Sequence, residues 1–172
     1  MNRFSLLTLA LAALSVASAT RLPSNLEPFE TKHVCVGRAE VQLRGKADDK
    51  LGQAAQGIMN QLASSMKLNP DGENYTACPA WLYFKVDAGN NADGGLVYSA
   101  SLSLVTPKVD TKALGNLKDE SFDYDGGFEY VTLWSDTGYN TAASMDNLSF
   151  KLRAEVVAQM GDFTADWKKA HQ

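Results

Sequence analysis

The sequence predicts an α+β fold: a two-layer sandwich in the order β-α-β-β-β-α, with two helices on one face of a four-stranded, mostly antiparallel sheet. Three observations predict it. Two long stretches repeat their apolar residues every three or four positions, four short stretches are apolar or alternate with period two, and clusters of Gly, Pro, Asn and Asp separate them. Laying both helical stripes on the apolar side of one sheet buries every apolar face in two layers.

Residues 1–19 stand apart from that domain. Met1-Asn2-Arg3 is followed by the apolar run Phe4 to Val16 and by Ala17-Ser18-Ala19, the basic start, hydrophobic middle and small-x-small cleavage site of a secretory signal peptide. A transmembrane helix needs about 20 apolar residues, so the run reads as an export signal rather than a span. Cleavage is expected after Ala19, leaving a periplasmic or extracellular chain with no integral membrane span.

Residues 20–31 carry two prolines and no periodicity, an extended lead-in; the single domain is then 32–172. In the first strand, Lys32 to Leu43, residues Cys35, Gly37, Ala39, Val41 and Leu43 share one parity, and Arg38, Glu40 and Gln42 the other. Asp48 or Asp49 caps a first helix whose stripe is Leu51, Ala55, Ile58, Leu62 and Met66, ended by Asn69-Pro70-Asp71-Gly72. The first strand, this helix and the strand 80–88 form a right-handed crossover, which makes the two strands parallel. A polar, glycine-rich loop then leads into residues 96–105, where Leu96, Tyr98, Ala100, Leu102 and Leu104 alternate with Ser99, Ser101 and Ser103. These two strands are expected to pair as an antiparallel hairpin.

Residues 106–127 have no period, and so long a structureless connection inside a compact domain is often functional. A fourth strand, 128–135, places Tyr130, Thr132 and Trp134 on one parity, and Asp136-Thr137-Gly138-Tyr139-Asn140 reads as a turn. The last helix, capped by Ser144, repeats Met145, Leu148, Leu152, Val156, Met160, Phe163 and Trp167 at spacings of three or four.

Composition narrows the function. The 172 residues hold 16 Lys+Arg and 20 Asp+Glu, a net charge of −4, which lacks the basic footprint of nucleic-acid binding. No Gly-x-Ser-x-Gly elbow, His-Glu-x-x-His, phosphate-cradling loop or dinucleotide fingerprint occurs, so no catalytic residue set and no cofactor are expected. His33 and Cys35 share a strand face and resemble a Cys-His dyad or half a metal site. With His171 the only other histidine, a zinc site lacks ligands, and no metal is expected.

Cys35 opens the first strand and Cys78 immediately precedes the second. If the two are parallel neighbours, about 4.8 Å apart, their Cα atoms fall inside the window for a disulfide, which an exporting cell also favours. The alternatives are two buried free thiols or a catalytic cysteine.

Asp119, Glu120, Asp123, Asp125 and Glu129 concentrate carboxylates in the odd segment, and Asp123-x-Asp125-Gly126 resembles the start of a calcium loop without completing one. Aromatic residues are interleaved with them. Phe128, Tyr130 and Trp134 read as strand residues of the core, leaving Phe122, Asp123, Tyr124, Asp125 and Tyr139 as candidate contacts of a binding platform for a sugar or a partner peptide.

Leu82-Tyr83-Phe84-Lys85-Val86, Tyr98-Ser99-Ala100-Ser101-Leu102-Ser103-Leu104 and Leu133-Trp134-Ser135, followed by a long terminal helix, resemble the corresponding strands of a family of uncharacterised exported bacterial proteins with a small α+β domain. The resemblance covers about residues 33–170 and implies export and one α+β domain. It implies no activity, and the acidic segment before the last strand departs from it. The expected function is thus a non-catalytic exported binding or adaptor module for an unidentified protein or envelope component. Two alternatives remain: a hydrolase or lyase using Asp123, Asp125 and Glu129, and an envelope structural protein self-associating through its serine face or a sheet edge.

Overall fold

A computed structural model of the chain describes residues 21–69, 78–106 and 131–172. The α+β class holds, with both long helices packed on one face of the sheet. Five strands rather than four are present among the described residues: β1 (Val34–Leu43), β2 (Lys46–Ala47), β3 (Ala80–Asn90), β4 (Leu96–Thr106) and β5 (Val131–Ala142), in the order β2-β1-β3-β4-β5. The helices are α1 (Asp49–Ser65) and α2 (Met145–Ala170). β1 and β3 are parallel and every other pair is antiparallel, so the sheet is mixed.

The extra strand arises from Arg44 and Gly45, which adopt φ of 54° and 73° and reverse the chain in two residues, pairing Leu43 with Lys46. Two consecutive positive φ values are the signature of the tight hairpin turn whose twist matches that of the strands. A glycine at the second position removes half the strain, and the Arg44 side chain is held by Asn90 Oδ1 at 2.9 Å.

β1 does not keep one parity. Val34 and Val36 point into the main core, as do Ala39, Val41 and Leu43, whereas Cys35 lies on the opposite side of the sheet with Trp81. The register explains it: Val36 pairs with Leu82 but Ala39 pairs with Phe84, so β1 spends three steps where β3 spends two. This is a bulge at Gly37-Arg38, and an extra residue exchanges the two faces. Gln56 of α1 secures it, accepting from Ala39 N at 2.6 Å and donating to Gly37 O at 3.0 Å. At Gly37 a β-carbon would stand 2.6 Å from the Tyr83 ring.

Both caps are where the sequence places them. Asp48 Oδ1 accepts from Leu51 N at 3.0 Å and Ser144 Oγ from Asn147 N at 3.2 Å. The buried stripe of α1 is Leu51, Gly52, Ala55, Met59 and Ala63, with Ile58, Leu62 and Met66 along its half-buried margin. Small residues set that rotation: a β-carbon at Gly52 would lie 3.1 Å from Ala39 O, so the helix backbone rides close over β1. On α2 the expected stripe is buried except Met145, and Gln159 joins it, donating to Ala100 O at 2.9 Å.

The expected turn at 136–140 is strand. β5 continues through it, pairing Leu102 with Asp136, Ala100 with Gly138 and Tyr98 with Asn140. Gly138 serves packing instead, since a β-carbon there would lie 3.2 Å from Glu155 Oε2 on α2. A second irregularity, between Leu104 and Val105 of β4, puts Thr132 and Trp134 on opposite faces, so their expected common parity fails as well.

Candidate functional site

Helices cover one side of the sheet; the other side is the candidate site. Its features follow from period two in β3, β4 and β5. Ser99, Ser101 and Ser103 form a row along β4, flanked by Asp87, Lys85 and Tyr83 on β3 and by Tyr139, Thr137 and Ser135 on β5. Small side chains on the middle strand between larger neighbours make a trough, and its length from Val97 to Val105 is roughly 27 Å at about 3.4 Å per residue.

Two depressions lie along it. One, about 570 Å³, is bordered by Gln42, Asp87, Val97, Ser99, Tyr139 and Asn140. The other, about 460 Å³, is bordered by Arg38, Tyr83, Lys85, Ser101, Ser103 and Thr132. Tyr139 is 74% exposed and Val97 44%, so an aromatic and an aliphatic surface face solvent at one end. Lys85 and Asp87 form an ion pair of 3.1 Å that leaves the trough locally neutral.

The opposite end is closed by a second, smaller apolar cluster of Cys35, Cys78 and Trp81, with Tyr83 and Val105 against it. Cys35 and Cys78 are joined, with Cα atoms 5.7 Å apart, as the parallel pairing of β1 and β3 requires. Cys35 is therefore no nucleophile and forms no dyad with His33. The Trp81 indole donates to Cys78 O at 3.2 Å and its ring stacks on Tyr83.

Of the residues expected to bind a ligand, Tyr139 stands on this face. Phe122, Asp123, Tyr124 and Asp125, like Glu129 and the rest of the acidic tract, lie outside the described residues, as do residues 1–19.

One charged cluster is absent from the sequence reading. Arg21, in the expected lead-in, sits 3.0 Å from Asp166, 3.1 Å from Asp162 and 3.9 Å from Asp136, with its guanidinium carbon 5.9 Å from the centre of the Trp134 ring. Burial works against the Arg21 charge, but the bond to Asp166 and the other carboxylates outweigh it and hold its pKa above the ordinary value. Asp136 is raised above its ordinary 3.8, first by burial and then by its hydrogen bond with Asp162, against the pull of Arg21. The available signals were Trp134-x-Asp136 on one strand face and the four-residue spacing of Asp162 and Asp166 on α2. The cluster ties the N-terminal segment down, together with Leu26, which is fully buried, Asn25 Nδ2 donating to Leu133 O, and His171 Nε2 at 2.8 Å from Phe29 O.

The raised Asp136 sets a sign. The folded chain holds this proton more tightly than the unfolded chain, so between pH 3.8 and the raised value stability falls as pH rises. Asp136→Asn is expected to flatten that slope and to raise stability at pH 7 relative to the parent. Urea unfolding at pH 4 to 8 checks it; a variant less stable than the parent at pH 7 refutes it.

No protein-family model matches the chain. No curated protein matches it either. Among solved structures it is similar to the PelC dodecamer from Paraburkholderia phytofirmans, at 15% identity and a TM-score of 0.43, over 78% of this chain and 90% of that one. A variant of the same PelC dodecamer gives 17% identity and a TM-score of 0.43, over 76% of this chain and 86% of that one.

Proposed function

We propose that the protein is an exported, non-catalytic binding module whose sheet face opposite α1 and α2 holds a hydroxyl-rich chain, a saccharide, along the β4 trough. The observation that carries the reading is the serine row between the Tyr83–Asp87 ridge and the open Tyr139 ring. Each serine hydroxyl donates one hydrogen bond and accepts two, matching sugar hydroxyls, and an exposed phenol ring offers an apolar face to a sugar ring. A peptide that binds by adding a strand needs unpaired main chain, whereas β4 is central and committed to ladders on both sides.

Export rests on the leader-like residues 1–19 and on the Cys35–Cys78 bond, which an oxidising compartment preserves. Among the described residues no helix is long and apolar enough to cross a membrane. The likeness of its strands to those of uncharacterised exported bacterial proteins supports the same reading.

The test is titration of the purified protein against a panel of envelope and extracellular glycans by calorimetry. Tyr139→Ala is expected to weaken binding about tenfold, ~1.4 kcal/mol, with unchanged unfolding. Ser101→Arg, which fills the trough without touching the core, is expected to abolish it. Binding indifferent to both variants, or no glycan bound at all, overturns the proposal.

A further inference from the structure

The solvent side of α2 carries an apolar stripe with no partner among the described residues. Phe150 is 72% exposed and Val157 51%, and with Ala154 and Gly161 they recur at spacings of four, three and four, the period of a helix-pairing seam. Gly161 sits in the interior of a 26-residue helix with open space where its β-carbon would be, so no packing within the described residues calls for it. A glycine there costs about 1 kcal/mol relative to alanine.

We infer that this stripe is a docking surface for a second copy of the chain, paired antiparallel through α2 about a twofold axis at Val157. Two features of the stripe complement themselves in that arrangement. Phe150 lies seven residues before Val157, so in the partner it faces position 164, where Gly161, Thr164, Ala165 and Lys168 frame a hole floored by small side chains. Asp146 lies eleven residues before Val157 and Lys168 eleven after, so the twofold brings each exposed acid against the other copy's exposed base. The helix dipoles run antiparallel as well, which adds to the attraction. A parallel pair would set Asp146 against Asp146 and Phe150 against Phe150. The stripe lies on the layer opposite the trough, so pairing leaves the trough open and does not depend on what the trough binds.

From Phe150 to Lys168 the seam is roughly 27 Å of helix at about 1.5 Å per residue, short of the area of a tight interface, so a weak dimer is expected. Sedimentation velocity of the purified protein, from about 10 μM to 1 mM, is expected to show a monomer–dimer equilibrium. Phe150→Glu and Gly161→Leu each return it to monomer; the first removes the knob and the second fills the hole, and the circular dichroism of both stays that of the parent. Asp146→Lys weakens the dimer, and adding Lys168→Asp restores it. A monomer throughout, a dimer that survives both Phe150→Glu and Gly161→Leu, or a double charge reversal no tighter than Asp146→Lys overturns the inference.

Discussion

Replacing Cys35 and Cys78 together by alanine is expected to lower the unfolding free energy by about 4 kcal/mol, the chain-entropy value for a closed loop of this length. The bond spans a sequence separation of 43, which includes the β1 bulge, the β2 hairpin and all of α1. Without it the smaller cluster loses its covalent centre: Cys35, Cys78 and Trp81 are all buried, yet they pack on the side of the sheet opposite α1 and α2. Urea unfolding under oxidising conditions measures the double variant against the parent. In the parent, reduction by dithiothreitol should reproduce the loss. A difference below about 1 kcal/mol would mean that the closed loop is already ordered when the chain unfolds.

Trp134→Ala is expected to cost about 3–5 kcal/mol, the range for emptying a buried aromatic site. The indole is fully buried, meets Phe163 edge-on at 5.1 Å, donates to Asp166 Oδ2 at 3.0 Å and lies under Arg21. Removing it opens a cavity between β5 and α2 and also deprives Asp166 of a donor, so the ion pair holding the N-terminal segment loosens. Trp134→Phe separates the two effects. It keeps much of the volume, loses the N–H bond, and should cost about 1–3 kcal/mol. Limited proteolysis reads the second effect directly, through faster cleavage within residues 21–33 in both variants. Alanine and phenylalanine variants of equal stability would show that packing at this corner contributes nothing.

The parts of the fold legible in the sequence are those where one period runs uninterrupted. The β4 alternation, the α2 stripe apart from Met145 and both helix caps match the structure, because each depends on local spacing and a single cap side chain. The parallel β1–β3 pair and its disulfide followed from the crossover rule together with the edge positions of Cys35 and Cys78.

What the sequence concealed has physical causes. Asp136-Thr137-Gly138-Tyr139-Asn140 has turn composition, but Gly138 answers to the approach of α2, a contact made by residues some twenty positions away. Arg44-Gly45 reverses the chain in two residues and gives β2 too little length to show a period. The Arg21 cluster joins residues more than a hundred positions apart, and its three carboxylates share no local motif. Of the candidate ligand contacts, Tyr139 has turn composition around it; it is open to solvent because it takes an outward strand position beside Ser99.

The bulge in β1 has a consequence for how this chain tolerates change in length. Val34 and Val36 on one flank of it, and Ala39, Val41 and Leu43 on the other, are in phase with the same core only because one additional residue stands between them. Deleting Arg38 would put the two flanks out of step: whichever half stayed seated, the other would turn its valines to water and its charged or thiol side chains inward. A change of length at this point should therefore disrupt the fold, while substitutions of Arg38, which is exposed, leave the fold intact.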